Sequence, residues 1–574
     1  MLSEISTNAM QLLLERYLLK NDQGKAVESL DQLFQRVAKC VASVETKDRE
    51  LWEKRFFDQM SKLEFLPNSP TLMNAGLPKG QLSACFVLPV EDSLEDIFTT
   101  LKNAALIHQS GGGTGYNFSK LRPKNDTVSS LGGTSSGPIA FMNVFDAATE
   151  HVKQGGKRRG ANMGILNVDH PDIAEFVTTK LDSISLQNFN LSVGITDDFM
   201  SAMANNRSWK LINPRNGKIV KTIDPKILWA SLVRAAWNTG DPGLIFLDTI
   251  NAHNPLPDQG LMVSTNPCGE VPLLDHESCN LGSLNLSKMI KLQGHDTTID
   301  WNKLEDAVQV GIRFLDNVIT CNHYLLNEIE SITLKNRKIG LGVMGWAELL
   351  LLLEIPYASQ EAVQLGEKMM HFIAAKSYET SNKIANEKGC FPTWDKSIHY
   401  PDTPLRNATC NSIAPTGSIS IIANTSYSIE PFYALAFKRK GVLGDKTQLS
   451  LHPIVEEKLG HLGHWNKEIE NELLEKGSIQ HINAIPNHIR SIFETSMEIP
   501  WEYHLQHQRA FQKYTDNAVS KTINLPHTAT EKDISEIYKT AWEYSLKGIT
   551  IYRDGSKSNQ VLQRCGATED QNCV

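Results

Sequence analysis

The residues best suited to chemistry lie in one stretch, Ser264-Thr-Asn-Pro-Cys-Gly-Glu-Val-Pro-Leu273, with Ser278-Cys-Asn-Leu-Gly-Ser-Leu-Asn-Leu286 close behind. Asn266, Cys268 and Glu270 are spaced two apart. On an extended backbone, side chains at that spacing share a face, so an amide, a thiol and a carboxylate would point into one small space. Pro267 donates no backbone hydrogen bond and Gly269 permits unusual φ, which makes the stretch a loop tip. A second thiol, Cys279, follows eleven residues after Cys268. Two thiols with an acid and an amide suit redox chemistry on a polar substrate. A Pro-Gly turn around a cysteine that acts as a small apolar side chain is the other reading of the same residues.

Other stretches offer groups that could hold a substrate. Ser69-Pro-Thr71 reads as a loop with two hydroxyls, and Leu82 to Val90 as a short buried strand carrying Cys85. Glycines cluster at Gly111-Gly-Gly-Thr-Gly115 and at Gly132, Gly133 and Gly137. Such runs let backbone N–H groups approach an anion or serve as flexible turns. They lack the spacing of a Walker loop or of a dinucleotide fingerprint. Lys157, Arg158 and Arg159 form a basic run between glycines, suited to phosphate or base and equally to solvent. Pro415-Thr-Gly-Ser418 is a turn rich in hydroxyls; if a helix starts there, its N-terminus suits a phosphate, or the hydroxyls cap it.

The elements that must position these groups alternate. Apolar residues recur at helical spacing through Leu12–Leu18 and Leu30–Val41, with a turn at 21–24 between them. Leu191 to Thr196 is strand-like; 227–239, 303–320 and 340–355 are helical in pattern. Alternating strands and helices over this length indicate an α/β architecture.

Bulk properties narrow the class. With 574 residues, 41% hydrophobic and 21% charged, the chain has ordinary globular composition and room for a large core. A net charge of −8 argues against broad nucleic-acid binding while leaving local basic pockets open. No apolar run reaches the roughly 20 residues of a membrane span. The first residues lack the basic-then-apolar form of a secretion signal. The nine cysteines are Cys40, Cys85, Cys268, Cys279, Cys321, Cys390, Cys410, Cys565 and Cys573. Their low density and odd number fit a reducing cytoplasm, and no pair has the spacing of a zinc ribbon.

Asn266-Pro-Cys-Gly-Glu270 followed by Ser278-Cys-Asn-Leu-Gly-Ser-Leu-Asn-Leu286 resembles the finger loop of the ribonucleotide reductase catalytic subunit, most of all its adenosylcobalamin-dependent, class II branch. Ser83-Ala-Cys85, the basic run, Pro415–Ile419, Lys513–Pro526 and Lys547–Gly555 resemble further family motifs in the same order. The resemblance implies a ten-stranded α/β barrel around a central finger loop. It divides the chain into a helical segment over 1–60 without an ATP cone, a barrel over 61–555 and a flexible tail over 556–574. The effector region would span about 90–165.

The same resemblance implies the roles. Cys268 would carry a thiyl radical made with adenosylcobalamin and take the 3′ hydrogen of the ribose. Glu270 would be the base at the 3′ hydroxyl, and Asn266 would orient the ribose. Cys85 and Cys279 would supply the reducing equivalents and end as a disulfide. Ser69, Ala84, Gly113 and residues Pro415, Thr416, Gly417, Ser418 and Ile419 would contact substrate. Asp92, Arg122, Lys157, Arg158 and Arg159 would serve deoxynucleotide or ATP specificity effectors. Cys565 and Cys573 would relay electrons from a thioredoxin-like reductant. The family expectation is a homodimer in the cytoplasm, with no nucleic-acid or membrane partner and no metal-ligand set. Only Tyr552 precedes Arg553-Asp-Gly555, where the class I branch carries adjacent tyrosines for radical transfer from a second subunit. A class I subunit dependent on a metal-containing partner, and a nucleotide-binding homologue without turnover, are the rival readings.

Overall fold

The computed structural model describes residues 5–128, 132–154, 158–293, 296–439, 448–556 and 563–564. Lys157, Cys565 and Cys573 lie outside those residues. Three helical stretches open the chain: Thr7–Leu12, which widens into a looser turn through Tyr17, then Leu30–Ala42 and Arg49–Ser61. Ser29 and Gln32 cap the second reciprocally, and it buries Leu33, Phe34, Val37, Ala38 and Val41 along one face.

Ten strands form the main sheet: β1 (Phe65–Pro67), β2 (Cys85–Val87), β3 (Gly113–Asn117), β4 (Asn162–Asn167), β5 (Phe189–Ile195), β6 (Gly243–Phe246), β7 (Ser278–Asn285), β8 (Ile339–Met344), β9 (Thr522–Leu525) and β10 (Gly548–Arg553). β2 to β6 run parallel in chain order, with helical crossovers such as Leu94–Ser110, Pro138–His151 and Pro225–Thr239 between them. β7 pairs antiparallel with β2 and parallel with β8. β10 pairs antiparallel with β6 and parallel with β9. β1 lies antiparallel on the second half of β7.

The two ends of this sheet meet through residues 409–413, which bridge Leu341 on one side and Val519 on the other. Leu341 N donates to Cys410 O at 2.8 Å, and Ser520 N donates to Ile413 O at 2.9 Å. Backbone hydrogen bonding therefore runs a full circuit. β2–β6 form one parallel arc, and β7, β8, residues 409–413, β9 and β10 form the other.

The sequence pattern misplaces one element. Residues 340–344 belong to β8, and the helix that follows is Trp346–Leu352. Every residue of β8 is buried, so it shows none of the polar alternation that marks a strand with one wet face. Pairing in β2 is also shorter than the apolar run around it, covering Cys85–Val87.

Two large apolar cores flank the ring. One joins the opening helices to β1, β7, β8 and the helices Trp301–Cys321 and Gln360–Lys388. The other packs the crossover helices and Glu531–Glu543 on the remaining strands. No described helix is long and apolar enough to cross a membrane.

A hairpin, Ser264–Thr265 against Pro272–Leu273, enters the ring beside β3. Glycines in β3 make room for it. A Cβ on Gly115 would stand 1.6 Å from Thr265 O, and one on Gly113 would stand 2.8 Å from Pro267 Cγ.

Candidate active site

The hairpin tip is a tight turn. Gly269 N donates to Asn266 O at 3.0 Å, and Val271 N donates to Asn266 Oδ1 at 3.0 Å. Gly269 holds φ +82°, a conformation that glycine adopts without strain. The turn replaces the two-residue alternation expected of extended backbone: Cys268 is exposed at the apex, while Asn266 and Glu270 are buried at its feet. The ring grips the tip from several sides. Glu270 O accepts from Ser412 Oγ at 2.9 Å and from Ala518 N at 2.8 Å. Pro267 O accepts from Asn190 Nδ2 at 2.8 Å.

Cys268 opens onto a cavity of about 290 Å³ whose wall includes Cys85, Asn266, Glu270, Ser69, Ala84, Gly113 and Pro415–Ile419. The catalytic and substrate-contact residues expected from the sequence thus meet in one space, except Cys279. That residue stands directly opposite Cys85 across the β2–β7 pair. Ser69 opens the short helix Ser69–Asn74 rather than lying in a loop, and its hydroxyl meets Tyr17 OH at 2.7 Å. The helix after Pro415 is a single turn, Ile419–Ile422. Thr416 Oγ1 accepts from Ser428 N at 2.8 Å, so this hydroxyl fixes a neighbouring loop rather than capping that turn.

Asp92 and Arg122, among the residues expected to serve an effector, do not line this cavity. Asp92 and Arg122 pair with each other, Nε to Oδ2 at 2.8 Å. The backbone of Arg158 and Arg159 pairs with that of Gln154 and Lys153.

Burial dominates the electrostatics of the cavity. It pushes the Glu270 carboxyl up to about 7, with a hydrogen bond from Asn266 offsetting part of the rise. Glu270 Oε2 is buried and has no partner among the described residues. Burial, and then the nearby Glu270, Cys279 and Cys268, keep the Cys85 thiol protonated well beyond the usual thiol range. Cys279 is raised by burial too, against the pull of the Lys338 ammonium. Both buried cysteines are therefore thiols at neutral pH, able to give protons as well as electrons. Glu270 is poised between its two forms.

A second cavity, of about 420 Å³, lies on the other side of the tip and shares Pro267, Cys268 and Pro415 with the first. Asn190, Ser192, Thr522, Asn524, Thr550 and Tyr552 line it, along with Lys521. The buried Lys521 ammonium donates to Glu430 and to His504 Nδ1 at 3.1 Å. Six of these polar residues come as alternate positions on single strands, Asn190 with Ser192, Thr522 with Asn524 and Thr550 with Tyr552, and only the fold brings strands so far apart in the chain around one space. His108 in the first cavity stands three residues before the glycine run at 111–113, a position that carries no chemical signal in the sequence.

Comparison with known proteins agrees with this architecture. Residues 83–403 and 399–552 match the ribonucleotide reductase barrel domain, and residues 3–80 match the ribonucleotide reductase all-alpha domain. The chain is 46% identical to the vitamin B12-dependent ribonucleoside-diphosphate reductase of Thermoplasma acidophilum, over 97% of this chain and 80% of that protein. A Mycobacterium tuberculosis protein of the same name is 47% identical over 97% of this chain and 81% of its own length. The solved alpha subunit of the Actinobacillus ureae class Id ribonucleotide reductase shares the fold, with a TM-score of 0.79 at 24% identity over 96% of this chain and 97% of that one. A hydrogen-bonded ring with a thiol-tipped hairpin inside it, matched along nearly its whole length by these domains, places the chain in the ribonucleotide reductase family.

Proposed function

We infer that this chain is a vitamin B12-dependent ribonucleoside-diphosphate reductase, making 2′-deoxyribonucleotides as DNA precursors. The observation that carries the reading is the position of Cys268, a single exposed thiol shared by two cavities and backed on one side by a buried acid and a facing cysteine pair.

The second cavity suits the cofactor. Adenosylcobalamin requires a void beside the thiol, away from substrate, with polar groups for a ribose and a base. Ser192, Thr522, Asn524 and Thr550 meet that requirement and would hold the adenosyl end. When bound, the cofactor supplies a carbon-centred radical able to take one hydrogen atom.

The chain's own residues do the rest. Cys268 gives up its hydrogen atom and, as a thiyl, takes the 3′ hydrogen of the ribose. Glu270 accepts the 3′ hydroxyl proton, for which a carboxyl near neutrality is well matched. Asn266 orients the ribose. Cys85 and Cys279 then lose two electrons and two protons as the 2′ hydroxyl departs as water. Residues directly opposite on antiparallel strands have Cα atoms about 4.5–5.5 Å apart, so their disulfide closes with little backbone movement. Cys268 finally takes back its hydrogen. Ser69, Ala84, Gly113 and Pro415–Ile419 hold the substrate, with its phosphates on the 415–419 turn. Enclosure inside the ring keeps water from the radical.

The reading extends to regulation and turnover. Asp92 and Arg122, with Lys157, Arg158 and Arg159, serve a specificity effector. Cys565 and Cys573 on the tail return electrons from a thioredoxin-like protein, and the enzyme acts as a homodimer. A class I assignment would need a radical-generating partner, and the lone Tyr552 beside Cys268's second cavity does not supply the tyrosine pair such a relay uses.

Anaerobic assays of CDP and CTP with adenosylcobalamin and a dithiol test this. The expected result is dCDP formation by the wild-type chain alone and none by Cys268→Ala. A strict requirement for a second subunit, or equal turnover by Cys268→Ala, would overturn the assignment.

A further inference from the structure

Cavity walls near Cys268 divide by chemistry. Cys85, Asn266 and Glu270 serve the ribose, and the 415–419 turn suits phosphate. Asn68, Ser69 and Ser283 add further polar groups, and another part of the wall is formed by Gly111, Gly112, Gly113 and Gly160 around the side chain of His108. His108 is buried, yet it lines the cavity.

A chain of buried hydrogen bonds fixes its tautomer. Thr149 Oγ1 donates to Phe145 O at 2.7 Å, so it must accept from Asn162 Nδ2, which lies at 2.9 Å and also donates to Asn188 O at 3.2 Å. The Asn162 amide is thereby oriented with Oδ1 as acceptor. Thr114 Oγ1 donates to that oxygen at 3.0 Å and accepts from Tyr116 OH at 2.7 Å. Tyr116 OH also lies 3.4 Å from Asn162 Oδ1, so the shorter Thr114 contact assigns the Thr114 hydrogen to Asn162, and His108 Nε2, at 2.8 Å, is then the donor to Thr114. An imidazole that donates through Nε2 presents a bare lone pair at Nδ1. Burial holds the ring neutral, pulling His108 down to about 4, so the lone pair persists across the physiological range. Nδ1 has no hydrogen-bond partner among the described residues.

We propose that His108 is a specificity-determining residue whose Nδ1 accepts a hydrogen bond from the exocyclic amino group of a cytosine or adenine base and disfavours the carbonyl that uracil or guanine carries there. The argument rests on the reductase reading of the cavity, since it takes the bound molecule to be a ribonucleoside diphosphate. Amino and carbonyl groups at that edge differ as donor and acceptor, so one fixed acceptor separates the two classes. The device is also placed where the basic run rejoins the barrel. A Cβ on Gly160 would stand 2.8 Å from His108 Cγ and Nδ1, so only glycine lets this backbone rest against the imidazole. A shift of that backbone changes how far Nδ1 is open to the base.

The test uses the holoenzyme with adenosylcobalamin under anaerobic conditions and one constant effector. Michaelis constants are measured for CDP, UDP, ADP and GDP with wild type and His108→Phe. A rise of about tenfold for CDP, for ADP or for both, without a matching rise for UDP and GDP, is expected for loss of one such hydrogen bond. A uniform change, no change, or a selective loss for UDP or GDP overturns the proposal. Wild type is also assayed with the diphosphate of 2-pyrimidinone riboside, which is CDP with hydrogen in place of its amino group, and with purine riboside diphosphate, the matching analogue of ADP. At least one analogue should bind about tenfold more weakly than its parent. Equal Michaelis constants for both pairs overturn the proposal without reference to any variant's folding. Absence of wild-type turnover with all four natural substrates would instead reject the reductase reading itself.

Discussion

Two glutamates of similar burial have opposite electrostatics. Glu270, at the foot of the finger, is pushed up to about 7 and leaves Oε2 without a partner. Glu45, between the second and third opening helices, is also buried, and burial alone would raise it. Arg313 donates to it from Nε at 2.8 Å and from Nη2 at 3.0 Å, Asn317 from Nδ2 at 2.8 Å, and Lys388 from Nζ at 3.0 Å. Those donors bring Glu45 down to about 2. Desolvation is common to both, and the count of donors decides the outcome. Where the chain needs a fixed tie between helices, every oxygen is satisfied. At the foot of the finger the donors are fewer, and one oxygen of Glu270 is left without a partner among the described residues.

Glu270→Gln gives the largest effect. It should lower kcat by about 10²- to 10⁴-fold, the range for loss of a general base, while thermal unfolding stays at or above the wild-type midpoint. Glu45→Gln should do the reverse. Breaking a buried charge cluster costs about 3–5 kcal/mol, read from urea unfolding, while turnover per folded molecule remains that of wild type. If Glu45→Gln abolished turnover without lowering stability, the contrast between the two sites would fail.

Acid separates the two sites without mutation. Glu270 is protonated below its raised value, so kcat/KM should fall toward acid with a midpoint near pH 7. Glu45 is depressed, from 4.5 to about 2, so its contribution to stability is fully present above 4.5 and disappears as pH falls toward 2. Activity should therefore fade well before unfolding begins. Coincident pH profiles for activity and unfolding would merge what the structure keeps separate.

Ser69→Ala gives the smallest effect, since this hydroxyl links the opening helices to the cavity through Tyr17 at 2.7 Å. Loss of one hydrogen bond should cost roughly 1 kcal/mol in stability, with a few-fold rise in KM and little change in kcat.

The chemistry was more legible in the sequence than the geometry that produces it. Asn266, Cys268 and Glu270 stand close together in the chain, so their convergence could be read directly, although a turn rather than an extended backbone brings it about. The opening helices were clear from Leu33, Phe34, Val37 and Val41, because one wet face leaves a helical period. β8 was hidden for the opposite reason: a strand dry on both faces has no period. The pairing of Cys85 with Cys279 depends on strand register between residues 194 positions apart, which no local pattern encodes. Likewise, the second cavity draws on β5, β9 and β10, and the tautomer of His108 on a network from 108 to 188.

The circuit through residues 409–413 and 517–520 also sets an order of assembly. Glu270 O takes its two donors from Ser412 and Ala518. A growing chain exposes the finger about 250 residues before the second of these clamps leaves the ribosome, and pairings so distant form late. A chain that has not yet reached residue 518 carries the Cys268 thiol on a tip whose Glu270 carbonyl lacks one of its two donors. The full grip on the finger is thus a property of the finished ring, completed near the end of synthesis.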